Sequence, residues 1–146
     1  MKGTYMKKDV IIKILDEQLS DGDRDKTELT TRGVLSKLKS RYSIEYDELD
    51  EELAGSRTRL TVDSPTCVTM HRAGTYNSDF VVEQNKRHSC YYDTPMGGFT
   101  MGVYGRLVCS SLGDRGGILR MDYTIDFNTG LAAENSLTIT VEELRS

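Results

Sequence analysis

The chain has 146 residues, a length that fits one folded domain rather than two. Its formal net charge of −4 argues against a nucleic-acid partner, because surfaces that track phosphates need clustered lysines and arginines. The three cysteines, Cys67, Cys90 and Cys109, fit no disulfide framework, and no apolar run has the length of a signal peptide or membrane span. We therefore expect a protein of the reducing cytoplasm with no membrane partner, and the sequence leaves its oligomeric state open.

The N-terminal residues precede any strand pattern. Met1 is followed by a second Met-Lys-Lys sequence at Met6, and patterned sequence begins only at Asp9. We expect residues 1–8 to form a disordered extension and residues 9–146 to form a single β-barrel domain, with either Met1 or Met6 as the native start.

Turn signals recur along the rest of the chain. Glycine, asparagine and aspartate readily adopt the positive φ angles of tight turns, and proline removes a donor from a strand ladder. Nine signals divide the chain into ten segments, each too short or too strictly alternating to make a good helix. The signals are Asp21-Gly22-Asp23, Lys39-Ser40-Arg41, Ala54-Gly55, Ser64-Pro65, Gly74-Thr75, Asn85-Lys86, Pro95-Met96-Gly97-Gly98, Asp114-Arg115-Gly116-Gly117 and Asn128-Thr129-Gly130.

The first turn begins like a calcium-binding loop, with aspartates at alternate positions from Asp21 to Asp25. Lys26 stands where such a loop needs glycine, and Arg32 stands where it needs a bidentate glutamate. We predict a solvated hairpin turn here and no metal site in the chain.

One stretch favours a helix. Tyr46, Leu49 and Leu53 stand at helical spacing, and Gly55 is of the residue type that commonly ends a helix. We expect a turn or two of helix at most, as a lid or a strand connection. The acidic run from Asp47 to Glu52 is interpreted as a solvated face.

The densest cluster of reactive side chains lies between Lys86 and Pro95. On a strand, His88, Cys90 and Tyr92 share one face because successive side chains alternate. If that face points inward, the imidazole needs a partner, since an unsatisfied buried polar group costs about 1–3 kcal/mol. Two interpretations stay open: a structural histidine packed beside tyrosine rings, or part of a ligand site.

Alternation of apolar and polar residues predicts the inward faces of the later strands. In the segment from Phe99 to Cys109, Gly102 and Gly105 indicate a bulge or bend of the kind that barrels need to close. The predicted inward sets are Phe99, Met101, Val103, Gly105, Leu107 and Cys109, then Leu119, Met121, Tyr123, Ile125 and Phe127, then Leu137, Ile139 and Val141.

These segments predict an all-β fold, a closed antiparallel up-and-down barrel of about ten strands with at most one short helix. Closure removes the long exposed edges that a flat sheet of this size would carry. A two-sheet sandwich is the rival, but its crossings need longer connections. The chain has no tryptophan and 3 phenylalanines, so an interior cavity is compatible with its low aromatic bulk.

The segments also resemble a known family. The motifs that carry the resemblance are Met6-Lys7-Lys8-Asp9-Val10, Gly74-Thr75-Tyr76-Asn77-Ser78 with Phe80, Lys86-Arg87-His88 with Tyr91-Tyr92, Thr94-Pro95-Met96-Gly97, Gly102-Val103-Tyr104 and Glu134-Asn135. On these residues the chain is similar to the YwiB-like family, a bacterial domain of unknown function with a calycin-like barrel. The resemblance covers nearly the whole chain from Met6 and implies a lipocalin-like fold. It transfers no activity, and the Gly–Trp signature of secreted lipocalins is absent.

Our first functional hypothesis is a barrel that binds a small, partly apolar ligand in its interior without a cofactor. Histidine and tyrosine side chains would orient a polar head by hydrogen bonds, and an arginine would pair with a carboxylate or phosphate. Candidate lining or rim residues are Arg72, His88, Tyr91, Tyr92, Tyr104 and Arg106. Tyr91 and Tyr92 point to opposite faces, so one of them belongs to the surface or to packing.

Two alternatives belong to other classes. The chain could be a protein-interaction or accessory domain with a filled barrel, or an enzyme in which His88 acts as base and a tyrosine as acid. The sequence favours a non-enzyme; for a Cys90–His88 nucleophile pair, for example, it shows neither an orienting group nor an oxyanion site.

Overall fold

A computed structural model of the protein describes residues 5–48, 54–127 and 130–144. These residues form ten strands and, within these ranges, no helix. The strands are β1 (Tyr5–Ser20), β2 (Asp23–Leu38), β3 (Arg41–Asp47), β4 (Ser56–Ser64), β5 (Cys67–Gly74), β6 (Asn77–Glu83), β7 (Arg87–Thr94), β8 (Gly97–Ser110), β9 (Gly116–Asp126) and β10 (Leu131–Glu143).

The strands close into one antiparallel barrel in which each pairs with its neighbours in sequence and β1 pairs with β10. The closing register places Ile14 opposite Ile139 and Asp16 opposite Leu137. This confirms the predicted closed up-and-down barrel of ten strands. Eight of the nine predicted turn signals fall at strand ends or connections, and the ninth, Asn128-Thr129-Gly130, includes residues outside those described.

Turn chemistry explains why the strands are joined so tightly. Asp21 and Gly22 both have positive φ, at 52° and 79°, which is the requirement of a two-residue hairpin whose twist matches its strands. Asn85 takes a φ of 64° in the connection between β6 and β7. Asparagine and aspartate tolerate this conformation better than most residues, so these turns are encoded locally.

The apolar core fills one half of the barrel. Its members come from the inward-facing positions of all the strands and include fully buried side chains such as Ile12, Leu60 and Leu119. This is the half that contains the β2–β3 and β8–β9 connections. There Tyr42 donates a hydrogen bond to Asp114 at 2.5 Å, and Lys37 lies 3.4 Å from the same carboxylate.

Three sequence expectations need correction. β1 already begins at Tyr5, which pairs with Leu38, so residues 5–8 belong to the barrel rather than to a disordered extension, and residues 1–4 lie outside the described residues. Tyr46 and Asp47 belong to strand β3 rather than to a helix, and the remainder of the expected helix, residues 49–53, lies outside the described residues.

The third correction concerns β8. A register shift between Gly105 and Leu107 confirms the predicted bulge, but it also exchanges the two faces beyond it. Val108 is therefore buried at 4% exposure, whereas Leu107 and Cys109, predicted to face inward, are exposed. Phe127, at the end of the next inward set, is also exposed.

Candidate functional site

The other half of the barrel contains a cavity of about 290 Å³. It lies toward the end that carries the β1–β2 and β3–β4 connections, beyond the apolar core. Its walls combine apolar and polar side chains, namely Ile14, Asp16, Thr27, Leu29, Tyr46, Glu48, Met70, Arg72, Tyr123 and Leu137.

The inward face of a strand supplies apolar residues to the core and, farther along the same strand, polar residues to the cavity wall. On β1 the inward positions run from Val10 and Ile12 through Ile14 to Asp16, which faces Leu137 on one side and Thr27 on the other. On β5 they run from Met70 to Arg72, which lies opposite Thr58 and Ser78. On both β1 and β5 the interior therefore changes from apolar to polar between one inward-facing residue and the next.

Glu48, Thr58 and Arg72 form a network in the cavity wall. The Thr58 hydroxyl donates a short hydrogen bond to Glu48 Oε2. Arg72 donates from Nε to Thr58 Oγ1 at 3.2 Å and from Nη2 to Glu48 Oε2 at 3.4 Å. The side chains of Arg72 and Glu48 are 15% and 8% exposed, so each charge has its counterpart within a shielded site.

The Asp16 carboxylate also lines the cavity but takes no part in this network. Its Oδ1 atom is buried and has no hydrogen-bond partner among the described residues. Burial raises the pKa of the Asp16 carboxyl above its usual value, the Arg72 charge opposes that shift, and the Glu48 charge adds to it. The cavity wall therefore contains a poorly solvated carboxyl group with an oxygen that can accept a further hydrogen bond.

Two tyrosine rings form further walls. Burial raises the pKa of both Tyr46 and Tyr123, with the Glu48 charge adding to the shift for Tyr46 and the Asp16 charge for Tyr123. Both phenols are consequently neutral near physiological pH.

Two more interior groups lack partners. Ser78 and Asn135 are only 5% and 7% exposed, yet Ser78 Oγ and Asn135 Nδ2 form no hydrogen bond with the described residues. Ser78 lies opposite Arg72, and Asn135 lies opposite Tyr123, both on the inward face of the barrel. Because buried polar groups in native proteins are almost always hydrogen-bonded, each of these atoms can take a further hydrogen bond, with water or with another molecule.

The cavity has a lateral boundary at β2. This strand pairs with β3 only from Val34 to Leu38, so its N-terminal half has no partner strand on that side among the described residues. Thr27 and Leu29 lie in that half and are exposed and half-buried, respectively. They therefore stand where the cavity meets the surface.

Of the six sequence candidates, the structure places Arg72 in the cavity wall. Tyr92 faces inward and is partly buried, but it packs against Tyr76 and Phe80, with ring centroids 6.2 Å and 5.9 Å away. It is a packing residue at the cavity end of the barrel rather than one of the side chains that line the cavity.

The other four candidates lie elsewhere. His88 is at the opposite end of the barrel, near the β6–β7 connection, where its Nε2 lies 2.9 Å from Glu83 Oε1. Tyr91 is exposed on the outer surface and covers Gly98. Tyr104 is half-buried on the outer face opposite Arg87, and Arg106 is exposed and lies 2.7 Å from Glu134.

Sequence reasoning missed most of the cavity wall, above all Asp16 and Glu48. A signal for Asp16 exists in the sequence, because it continues the inward series of Val10, Ile12 and Ile14 with a carboxylate. Glu48 belongs to the acidic run interpreted as a solvated face, and for this residue the interpretation is wrong. Its burial depends on Arg72, 24 residues away in sequence, which no local pattern indicates.

Among residues 5–48, 54–127 and 130–144, histidine, cysteine and carboxylate side chains do not gather into a group of three that could hold a metal ion. None of these residues belongs to a helix long and apolar enough to cross a membrane.

Comparisons with known proteins agree with the fold and add no activity. The model of a family described as "Domain of unknown function (DUF1934)" matches residues 12–139. The crystal structure of the YwiB protein from Bacillus subtilis is similar, with a TM-score of 0.87 and 17% identity over 98% of this chain and 97% of that one. Comparison with curated proteins gives no significant match. At this identity the structural likeness concerns the fold alone, and it supports the closed ten-stranded barrel.

Proposed function

Since the chain belongs to the DUF1934 family, a domain of unknown function, we propose its function from the interior cavity: the protein binds a small, partly apolar molecule inside the barrel. One observation carries this proposal. Asp16 Oδ1, a buried oxygen in the cavity wall, has no hydrogen-bond partner among the described residues. Leaving such a group unsatisfied costs about 1–3 kcal/mol, which a bound molecule and its accompanying water would recover.

The composition of the walls fits a molecule with one polar and one apolar part. Ile14, Leu29, Met70 and Leu137 form the apolar surface, and the Asp16 side supplies the polar surface. Small-molecule sites typically combine such a lining with a few well-placed polar groups. A cavity of about 290 Å³ is at the small end of ligand sites, so the ligand is correspondingly small.

The two alternatives have less support. An acid–base enzyme built on His88 would need a tyrosine near that ring, but His88 contacts Glu83 at the end of the barrel away from the cavity. A wholly filled barrel fits the apolar half but not the cavity beside Arg72. We therefore retain ligand binding as the function.

A pair of matched variants tests the proposal. Thr27 and Thr30 are exposed residues on the same strand, but Thr27 faces the cavity and Thr30 faces outward. Tryptophan suits a strand, so Thr27→Trp should fill the mouth of the cavity without preventing folding, and Thr30→Trp is its control. Ligand-observed NMR with a library of small, partly apolar fragments supplies the readout.

We expect fragments that bind the wild type and Thr30→Trp but not Thr27→Trp. If no fragment binds the wild type, or if binding survives Thr27→Trp unchanged, the proposed function is wrong.

We also propose that the protein works in the cytoplasm. Cys67, Cys90 and Cys109 are all free thiols, which suits a reducing compartment. Fractionation of native cells tests this: the protein should accompany cytosolic markers, and recovery among secreted proteins would contradict it.

A further inference from the structure

The charge balance of the cavity restricts what it can bind. Its walls carry two carboxylates, Asp16 and Glu48, and one cation, Arg72. Arg72 and Glu48 are already paired, at 3.4 Å, and Thr58 donates a hydrogen bond to the same carboxylate oxygen. An anionic ligand would add a third negative charge to a shielded site, whereas a cationic one would meet the unpartnered oxygen of Asp16.

The residues beside the cavity also carry a net negative charge. Residues 17–28, which form the end of the β1–β2 hairpin beside it, include five carboxylates and only two cations. A surface of one sign next to a cavity raises the local concentration of molecules of the opposite charge. Approach and binding therefore both favour a cation.

The aromatic walls favour an organic cation over a simple metal ion. Tyr46 and Tyr123 both line the cavity together with Asp16. An ammonium group near the face of an aromatic ring is stabilised by the ring quadrupole. The apolar wall of Ile14, Leu29, Met70 and Leu137 would accommodate the hydrocarbon part of such a molecule.

We propose that the ligand is a small organic ammonium ion, a protonated amine on an apolar body, whose N–H groups donate to the Asp16 carboxylate. This inference rests on the proposed binding function and names the class of the ligand. Asp16 is then the specificity-determining residue, Tyr46 and Tyr123 surround the ammonium group, and the Arg72–Glu48 pair fixes the shape of the wall.

Three probes of nearly equal size test the charge preference. Benzylammonium, benzyl alcohol and benzoate share a phenyl ring and differ in head-group charge. Their affinities are measured at neutral pH by ligand-observed NMR titration on the wild type and on Asp16→Asn. Glu17→Gln is the matched control, because Glu17 is the next residue after Asp16 on β1 but lies on the outer face of the strand. Circular dichroism verifies that each variant is folded.

We expect benzylammonium to bind the wild type about tenfold more tightly than the other two probes, the difference typical of one charge-assisted hydrogen bond. Asp16→Asn should abolish that preference, and Glu17→Gln should retain it. Thr27→Trp should remove the binding of all probes.

The failing outcomes are distinguishable. Equal binding of the three probes, preference for benzoate, or an Asp16→Asn variant with unchanged benzylammonium affinity overturns the ammonium class while cavity binding stands. Other fragments could bind the wild type, and lose that binding in Thr27→Trp, while none of the three probes binds. In that case too the ammonium class is wrong. If nothing binds the wild type at all, the binding function falls as well.

Discussion

The guanidinium of Arg72 lies 3.4 Å from the carboxylate of Glu48 inside the barrel, with both side chains largely withdrawn from solvent. Removing one member of a buried pair leaves the other charge uncompensated. Arg72→Met should therefore lower the free energy of unfolding by about 3–5 kcal/mol, measured by urea denaturation. The double variant Arg72→Met with Glu48→Gln should recover part of this loss, because no unpaired charge remains.

A control for this prediction exists on the outer face of the same region. Arg57 contacts Glu45 at 2.7 Å and Asp47 at 2.8 Å, but its side chain is 42% exposed. Arg57→Met should cost only about 0–1 kcal/mol, as for other solvent-exposed pairs. Equal losses for the two arginine variants would contradict the buried network.

Asp16 should give the stability of the protein a distinctive pH dependence. Burial raises its folded pKa, with Arg72 opposing and Glu48 adding. Its stabilising contribution is therefore complete below the unfolded value near 3.8 and is lost as the pH rises through the folded pKa. Asparagine stays neutral throughout, so the stability of Asp16→Asn relative to the wild type should increase from acidic to neutral pH.

Urea unfolding across that pH range measures this difference, with Glu17→Gln correcting for the change in net charge. A relative stability that stays flat or declines as the pH rises would show that Asp16 is not buried as described.

The fold was accessible from the sequence because its determinants are local. Turns such as Asp21-Gly22 and the alternation from Leu119 to Ile125 each encode their own element, and antiparallel neighbours then pair in order. The bulge at Gly105 was also indicated, but not which residue it would insert. A shift of one residue exchanges the faces, so Leu107 and Val108 could not be assigned.

The candidate site was less accessible because it depends on the position of residues along the barrel axis. Arg72 and His88 look equivalent in sequence, as polar residues on strands with buried neighbours. Arg72 lies near the β5–β6 end, where the interior is hollow, and His88 lies near the β6–β7 end, beside Glu83. β6 separates these two connections, so they stand at opposite ends of the barrel, but the sequence does not show which end is hollow.

His88 supplies a prediction that separates the two ends. The hydrogen bond from His88 is the largest cause of the lowered pKa of Glu83, with Lys86 adding to it. In His88→Phe the pKa of Glu83 should move upward toward its ordinary value, as followed by NMR titration of the side-chain carboxyl carbon. Fragment binding in the cavity should not change. A loss of cavity binding in a folded His88→Phe variant would return the histidine to the functional site.

Two glycines on β8 provide a last comparison, because the same substitution meets different obstacles at each. A Cβ atom at Gly105 would lie 2.4 Å from the backbone oxygen of Glu83, where the β6–β7 connection folds back onto the bulge. At Gly102 the obstacle is the guanidinium of Arg87, 2.1–2.3 Å away, which is the far end of a flexible side chain. Backbone cannot move aside as a side chain can.

Gly105→Ala should therefore lower the free energy of unfolding by about 1–3 kcal/mol, the usual cost of overpacking. Gly102→Ala should stay within about 1 kcal/mol of the wild type, because alanine also restricts the unfolded chain and offsets the displacement of Arg87. Urea denaturation of both variants makes the comparison. A Gly105→Ala variant as stable as Gly102→Ala would mean that the β6–β7 connection does not pack against the bulge, and the placement of His88 and Glu83 at that end would need revision.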